Sequence, residues 1–277
     1  MPELPEVELA SKFLSRLVEG RRITTAELLR QRLAPSVPAD RFSALLENST
    51  IKTVSRRGKF ILMSLDSGRT LLTHLRMSGR FMLLPTERAD PKFAHAVLNF
   101  DDGYRLVFQD QRHFGYMAIA ETNAIQALPE IAKLAPEPLS DDFSAAYLQK
   151  VFASTGRPVK EVLLDQTKVC GLGNIYAAEA LFRSKIHPAA RSNRVSRKRV
   201  SGLADHIREV LRDAIAAGST LNVDPEYIDG SYSGGEFESR WAVYDREGLP
   251  CPQCSSVVVR LKQAGRSSYF CPKCQKR

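Results

Sequence analysis

Two periodicities divide the chain. Between Lys59 and about Ala120, apolar residues alternate with polar ones or run in short blocks bounded by turn formers. KFILMSL (59–65) and RTLLTHL (69–75) flank Asp66-Ser67-Gly68, and HAVLNF (95–100) and YRLVF (104–108) flank Asp101-Asp102-Gly103. Both patterns predict a β-hairpin. The apolar spacing of Val7–Val18 suits a helix instead. A β-rich first domain is therefore expected over residues 2–132. The polar, proline-rich stretch Ala135–Asp142 predicts a linker at 133–142 and supplies a helix start at Ser140 or Asp141. Beyond it the period becomes helical. Leu203, Ile207, Val210, Leu211, Ala214 and Ile215 share one face, and Gly218 is a natural stop. A helical domain over 143–240 follows, with a glycine-bearing loop (Gly230, Gly234, Gly235) after residue 222. Residues 241–277 hold the cysteine-rich tail.

Composition narrows the class. The chain has 277 residues, of which 43% are hydrophobic, enough for several domains with a sizeable core. No apolar run approaches a membrane span of about 18 residues. The start MPELPEVELA has no basic segment followed by an apolar one, so no secretory leader is expected and a cytoplasmic location is. Forty Lys and Arg against 31 Asp and Glu give a net charge of +9, which points to a polyanionic partner.

Cys251-Pro-Gln-Cys254 and Cys271-Pro-Lys-Cys274 have the spacing of a four-thiolate zinc site. Each pair folds back to offer two sulfurs, and Zn²⁺ accepts a closed tetrahedron of thiolates. With no open position, one structural Zn²⁺ is expected. Two disulfides or a redox pair are the alternatives, and the doubled motif in a chain without an export signal favours zinc. The insert reads as two short strands around Gln263-Ala264-Gly265. Residues 251–277 carry Arg260, Lys262, Arg266, Lys273, Lys276 and Arg277 and no acid, which suits phosphate contact. The fifth cysteine, Cys170, reads as a small buried residue. Arg191, Arg194, Arg197, Lys198 and Arg199 read as a solvated helix start.

Five further segments carry a resemblance. The start Met1-Pro2-Glu3-Leu4-Pro5-Glu6, Arg57-Gly58-Lys59, His74-Leu75-Arg76-Met77-Ser78-Gly79, Asp110-Gln111-Arg112-His113-Phe114-Gly115 and Gly171-Leu172-Gly173-Asn174-Ile175-Tyr176 occur in this order, with the cysteine hairpin last. Together they resemble the bacterial formamidopyrimidine-DNA glycosylase family over nearly the whole chain. That resemblance implies an α+β multidomain fold: an N-terminal β-sandwich with a flanking helix, a helix–two-turn–helix domain and a C-terminal zinc-finger hairpin held by four cysteines. It also implies an enzyme of base excision repair that removes oxidised purines, 8-oxoguanine and formamidopyrimidines, from damaged double-stranded DNA and then nicks the strand, acting as a monomer.

Removal of Met1 would expose the secondary amine of Pro2. A chain-terminal amine titrates near about 7.7–8, so part of it is neutral and nucleophilic at pH 7. The resemblance makes Pro2 the nucleophile, Glu3 the general acid, Glu6 a supporting carboxylate and Lys59 the lysine of the catalytic site. The same residues also satisfy a plain helix start, with proline and early acids favoured there. Met77, Arg112 and Phe114 match the residues that fill the gap left by an everted nucleotide, where an apolar wedge and an arginine lower the cost of unstacking. Asn174 matches a phosphate contact at a helix start behind two glycines. His74, Lys160 and Arg266 are implied as further DNA contacts.

One position departs from the family. Asn222 stands where a basic residue is usual, and the following segment VDPEYIDGSYSGGEF is expected to close over the everted base. An oxidised-pyrimidine glycosylase and a non-catalytic lesion- or abasic-site-binding zinc protein are the two rival readings.

Overall fold

The computed structural model describes residues 1–218 and 240–276, and the described residues fall into two compact units, one over Met1–Ala132 and one from Lys133 onward.

The first unit opens with helix α1 (Leu4–Val18). Glu3 caps it in a reciprocal capping box with Glu6, and the buried Leu4, Val7, Ser11, Leu14 and Val18 form its inner stripe. Strand β1 (Ile23–Leu28) and helix α2 (Ala39–Leu46) follow. Next come β2 (Ile51–Arg57), β3 (Phe60–Leu65), β4 (Arg69–His74), β5 (Gly79–Pro85), β6 (Ala94–Phe100), β7 (Tyr104–Asp110) and β8 (Tyr116–Glu121), and the unit ends in a single helical turn, α3 (Pro129–Ala132). All strands pair antiparallel in two four-stranded sheets, β1-β6-β7-β5 and β2-β3-β4-β8. Ile61, Met63 and Leu71 of the second sheet share one core with Phe81, Leu98, Leu106 and Phe108 of the first, and Val7, Leu14 and Val18 of α1 close its side. Two sheets over a common core make a β-sandwich with a flanking helix. Each such buried side chain contributes about 1.5–3 kcal/mol. Both expected hairpins are present, β3–β4 and β6–β7, with Gly68 and Gly103 at φ +79° and +85° in their turns.

The second unit contains α4 (Ala145–Ala153), α5 (Val159–Leu164), α6 (Asn174–Arg183) and α7 (Arg197–Ala216), then the hairpin β9 (Val259–Gln263) and β10 (Arg266–Phe270). Helix α7 packs against α4 and α6. Its cap is Ser196, and Gly218 follows its end at φ +74°. The helix start expected at Ser140 or Asp141 lies at Ser144 instead, whose Oγ accepts from Tyr147 N at 3.0 Å. The preceding residues are strapped elsewhere: Arg208 of α7 donates to the carbonyls of Pro138 and Phe143, and the Phe143 ring is fully buried. The β9–β10 turn is Ala264-Gly265, both at positive φ, as a two-residue hairpin loop requires. Asn222 and the segment after it fall outside the described residues. Among the described residues no helix is long and apolar enough to cross a membrane.

Candidate functional site

In the first unit the candidate residues cluster on three turns and the chain start. Pro2, Glu3 and Glu6 are all buried, although Met1 before them is exposed. Glu3 is the helix cap, and its backbone N–H donates to Glu6 Oε2 at 2.8 Å. Glu6 therefore fixes the backbone of the residue next to Pro2, and both carboxylates lie at the positive end of α1. Lys59, also buried, follows Gly58 (φ +59°) in the β2–β3 turn. The β2 strand is pinned to α1 by Arg56, whose Nε lies 2.6 Å from Glu8 Oε2. Burial alone would raise the Glu8 carboxyl, but Lys12 and Arg56 hold it below the usual range.

His74 ends β4 inside the protein. Its Nδ1 accepts the N–H of Arg76 at 2.9 Å, and its ring meets Phe60 edge-on with centroids 4.7 Å apart. Burial, with the nearby charges of Arg76 and Lys59, pushes its pKa down to about 3. Thus His74 is a neutral acceptor that shapes the turn behind it, in which Arg76 takes φ +56°.

Met77 and Phe114 are among the few large apolar side chains left open, at 38% and 49% exposure. The guanidinium of Arg112 lies 5.5 Å from the Phe114 ring centroid, within cation–π range. Between them His113, at φ +60°, stacks on His95 with centroids 4.9 Å apart and ring nitrogens at 3.0 Å. Sequence reasoning passes over His95, because an imidazole inside an alternating strand carries no local signal.

In the second unit Asn174 is the first residue of α6, behind the extended Gly173, and its Oδ1 is buried without a partner among the described residues. Gly171, at φ +77°, bends the chain into that start. Lys160 is 1% exposed, and its Nζ donates to Ser267 O and Ser268 Oγ, both at 2.8 Å. Its ammonium is thereby fastened to β10, the strand that begins with the exposed Arg266. Sequence reasoning also misses Glu179, the one acid in the apolar run of α6. Buried, it accepts the backbone N–H groups of Ala242, Val243 and Tyr244 at 2.9, 3.0 and 2.8 Å. Burial raises its pKa even against those three bonds. Cys170 is fully buried, as expected, and Arg191, Arg194, Arg197 and Lys198 are exposed.

The four remaining cysteines bring their sulfurs within 4.8 Å of one another. Cys251 and Cys274 are 3.9 Å apart and Cys254 and Cys271 3.5 Å. A tetrahedron with Zn–S bonds of about 2.3 Å has edges of about 3.8 Å, so the donor set fits one Zn²⁺. Neither pair is a disulfide. The knuckle is further tied by Gln275, which accepts from Cys271 N and donates to Ile186 O.

Comparison with known proteins matches three family models in order: the formamidopyrimidine-DNA glycosylase N-terminal domain over residues 1–117, the formamidopyrimidine-DNA glycosylase H2TH domain over 134–224, and a zinc finger found in FPG and IleRS over 248–277. Curated relatives include formamidopyrimidine-DNA glycosylases from Dinoroseobacter shibae, 44% identical, and Phenylobacterium zucineum, 43% identical, each covering 100% of both chains. Among solved structures, Lactococcus lactis Fpg with abasic-site DNA superposes at a TM-score of 0.91 with 31% identity, over 99% of this chain and 100% of that one. The same enzyme bound to N7-benzyl-Fapy-dG DNA also gives 0.91, at 32% identity over both whole chains.

Proposed function

The chain belongs to the formamidopyrimidine-DNA glycosylase family, and on that premise we propose that Pro2, freed of Met1, is the nucleophile of a bifunctional glycosylase and lyase acting on oxidised purines in duplex DNA. The observation that carries this reading is the chain start. Pro2 precedes a helix whose cap, Glu3, is a buried carboxylate with its backbone fixed by Glu6.

The chemistry follows from those atoms. The Pro2 nitrogen attacks C1′ of the damaged nucleotide, the glycosidic bond breaks, and the base leaves with its electron pair and takes up the proton that the Pro2 nitrogen gives up. Glu3 protonates the sugar ring oxygen, the ring opens, and C1′ is left as an iminium on Pro2. That cation acidifies C2′–H, so loss of the proton expels the 3′ phosphate, and a second elimination expels the 5′ phosphate. Lys59 supplies positive charge beside the reacting phosphates. Met77, Arg112 and Phe114 occupy the hole left by the everted nucleotide. His74 acts from behind, by shaping the Met77 turn, and Lys160 acts by holding β10 and with it Arg266. Asn174 and Arg266 bind phosphates. One Zn²⁺ on the four cysteines supplies fold and no chemistry, since its four positions are filled by thiolates. The functional modules are residues 2–132, 143–240 and 241–277, joined by 133–142, and the protein works as a monomer on DNA in the cytoplasm.

Borohydride trapping on abasic-site DNA, run beside mass spectrometry of the amino terminus, tests this reading. Processed protein is expected to give a covalent adduct, and protein that retains Met1 none. No adduct from correctly processed protein would sink the lyase assignment. A panel of single-lesion duplexes then ranks oxidised purines against oxidised pyrimidines.

A further inference from the structure

Three exposed side chains on two different turns are assigned above to one task, which requires the turns to hold a fixed relation. A single buried group supplies it. Asp110, at the end of β7 and fully buried, accepts Ser78 Oγ at 2.5 Å and Arg112 N at 3.2 Å on Oδ1, and Gly115 N at 2.7 Å on Oδ2. Ser78 follows Met77, Arg112 is bound through its own backbone, and Gly115 follows Phe114. Every member of the trio is thus within one residue of a bond to the same carboxylate. Ser78 Oγ also accepts Arg112 N at 3.0 Å, which closes a small ring across the two turns.

Packing repeats the pattern. A β-carbon on Gly79 would lie 2.5 Å from Leu75 O and 2.7 Å from Phe108 Cζ, and one on Gly115 would lie 2.7 Å from Phe108 Cε1. Both turns therefore rest on one core ring through a glycine that no larger residue could replace. The stacked His95 and His113 rings brace the second turn.

We infer that Asp110 is a positioning residue that joins Met77, Arg112 and Phe114 into one void-filling unit, assembled before DNA arrives. The inference rests on the void-filling role proposed for these three. Filling a hole in a duplex costs less when the wedge is already ordered, because no side-chain or loop entropy is lost at that step. Asp110 acts through the trio and touches no DNA itself.

The test compares two substrates in the full-length, zinc-loaded, processed protein. One is a duplex with 8-oxoguanine and a neighbouring 2-aminopurine that reports eversion. The other is a single-stranded abasic oligonucleotide, which has no partner strand and no hole to fill. Asp110→Asn turns one acceptor into a donor facing an N–H or O–H. The eversion rate on the duplex is expected to fall by about tenfold or more relative to trapping on the single strand, the size of one charge-assisted hydrogen bond. Ser78→Ala, a milder change that keeps the carboxylate, shifts the same ratio in the same direction by less. In a Phe114→Ala, Arg112→Ala background, Asp110→Asn then adds little further loss, because its effect passes through those side chains. Equal losses on both substrates, or full additivity in that background, would overturn the inference. If Phe114→Ala and Arg112→Ala leave eversion intact, the void-filling reading itself fails and takes the inference with it.

Discussion

His74 offers a pH test of the difference between a structural and a DNA-contacting histidine. Its ring is buried, its Nδ1 is occupied by Arg76 N, and its pKa is pushed down to about 3 by burial and by the charges of Arg76 and Lys59. In the unfolded chain an imidazole titrates near about 6.5. A base whose pKa is depressed by folding gives stability that is present above the unfolded value and lost as pH falls toward the folded one. Between pH 7 and pH 5 the unfolded state takes up a proton that the folded state refuses, which costs about 2 kcal/mol. His74→Asn keeps an acceptor where Nδ1 stands and removes the titration. Its loss of ring packing against Phe60 lowers stability by about 1–3 kcal/mol at every pH. The difference between wild type and variant should therefore shrink by about 2 kcal/mol on going from pH 7 to pH 5. Hydrogen exchange of peptides from β3 and β4 reads this locally in the intact protein. A constant difference across that range, or an imidazole resonance titrating near its ordinary value in the folded protein, would refute the burial argument.

Three other outcomes are expected. Glu179→Ala strands three backbone N–H groups, of which that of Val243 is buried, and is expected to destabilise the protein by about 3–5 kcal/mol in urea unfolding; a loss within about 1 kcal/mol would show that water replaces the carboxylate. Lys160→Met removes two hydrogen bonds to β10 while keeping the buried stem. It should speed zinc loss to a chelator and leave the salt slope of DNA binding unchanged, whereas a slope smaller by about 0.9 would make Lys160 a phosphate contact after all. Stripping the metal should abolish DNA binding by unfolding the finger, and full affinity in a verified zinc-free protein would contradict that.

What the sequence discloses and what it hides divides along sequence distance. Both hairpins of the first unit are legible because period-two alternation and an Asp-Xaa-Gly turn agree within twenty residues. The zinc knuckle is legible because the spacing of paired cysteines is itself the geometry. The start of α4 lies four residues beyond the position its sequence suggests. Ser140 and Ser144 are equally good caps, and the choice is made by Arg208, which seizes the carbonyls around Ser140 from α7. Lys160 is implied by resemblance as a DNA contact, and its bonds to Ser267 and Ser268 become visible only once the fold brings β10 to it. Asp110 stands inside a recognisable motif, but its role depends on Ser78, in another turn. Pro2, Glu3 and Glu6 could be selected only by resemblance, since a capping box needs the same residues.

The β6–β7 hairpin has two very unequal ends. One end of β7 is Asp110, to which both turns are tied, so lengthening either turn by a residue would misalign the other. The opposite end is the Asp101-Asp102-Gly103 turn, about 20 Å away along the strand. Open space surrounds Gly103, where an added β-carbon would meet nothing within 4 Å. Chain-length variation, a peptide tag or a fluorophore therefore belongs there. A dye attached at Asp101 would ride on the same rigid strand as the DNA-filling turns without touching them, and would report their movement in a working enzyme.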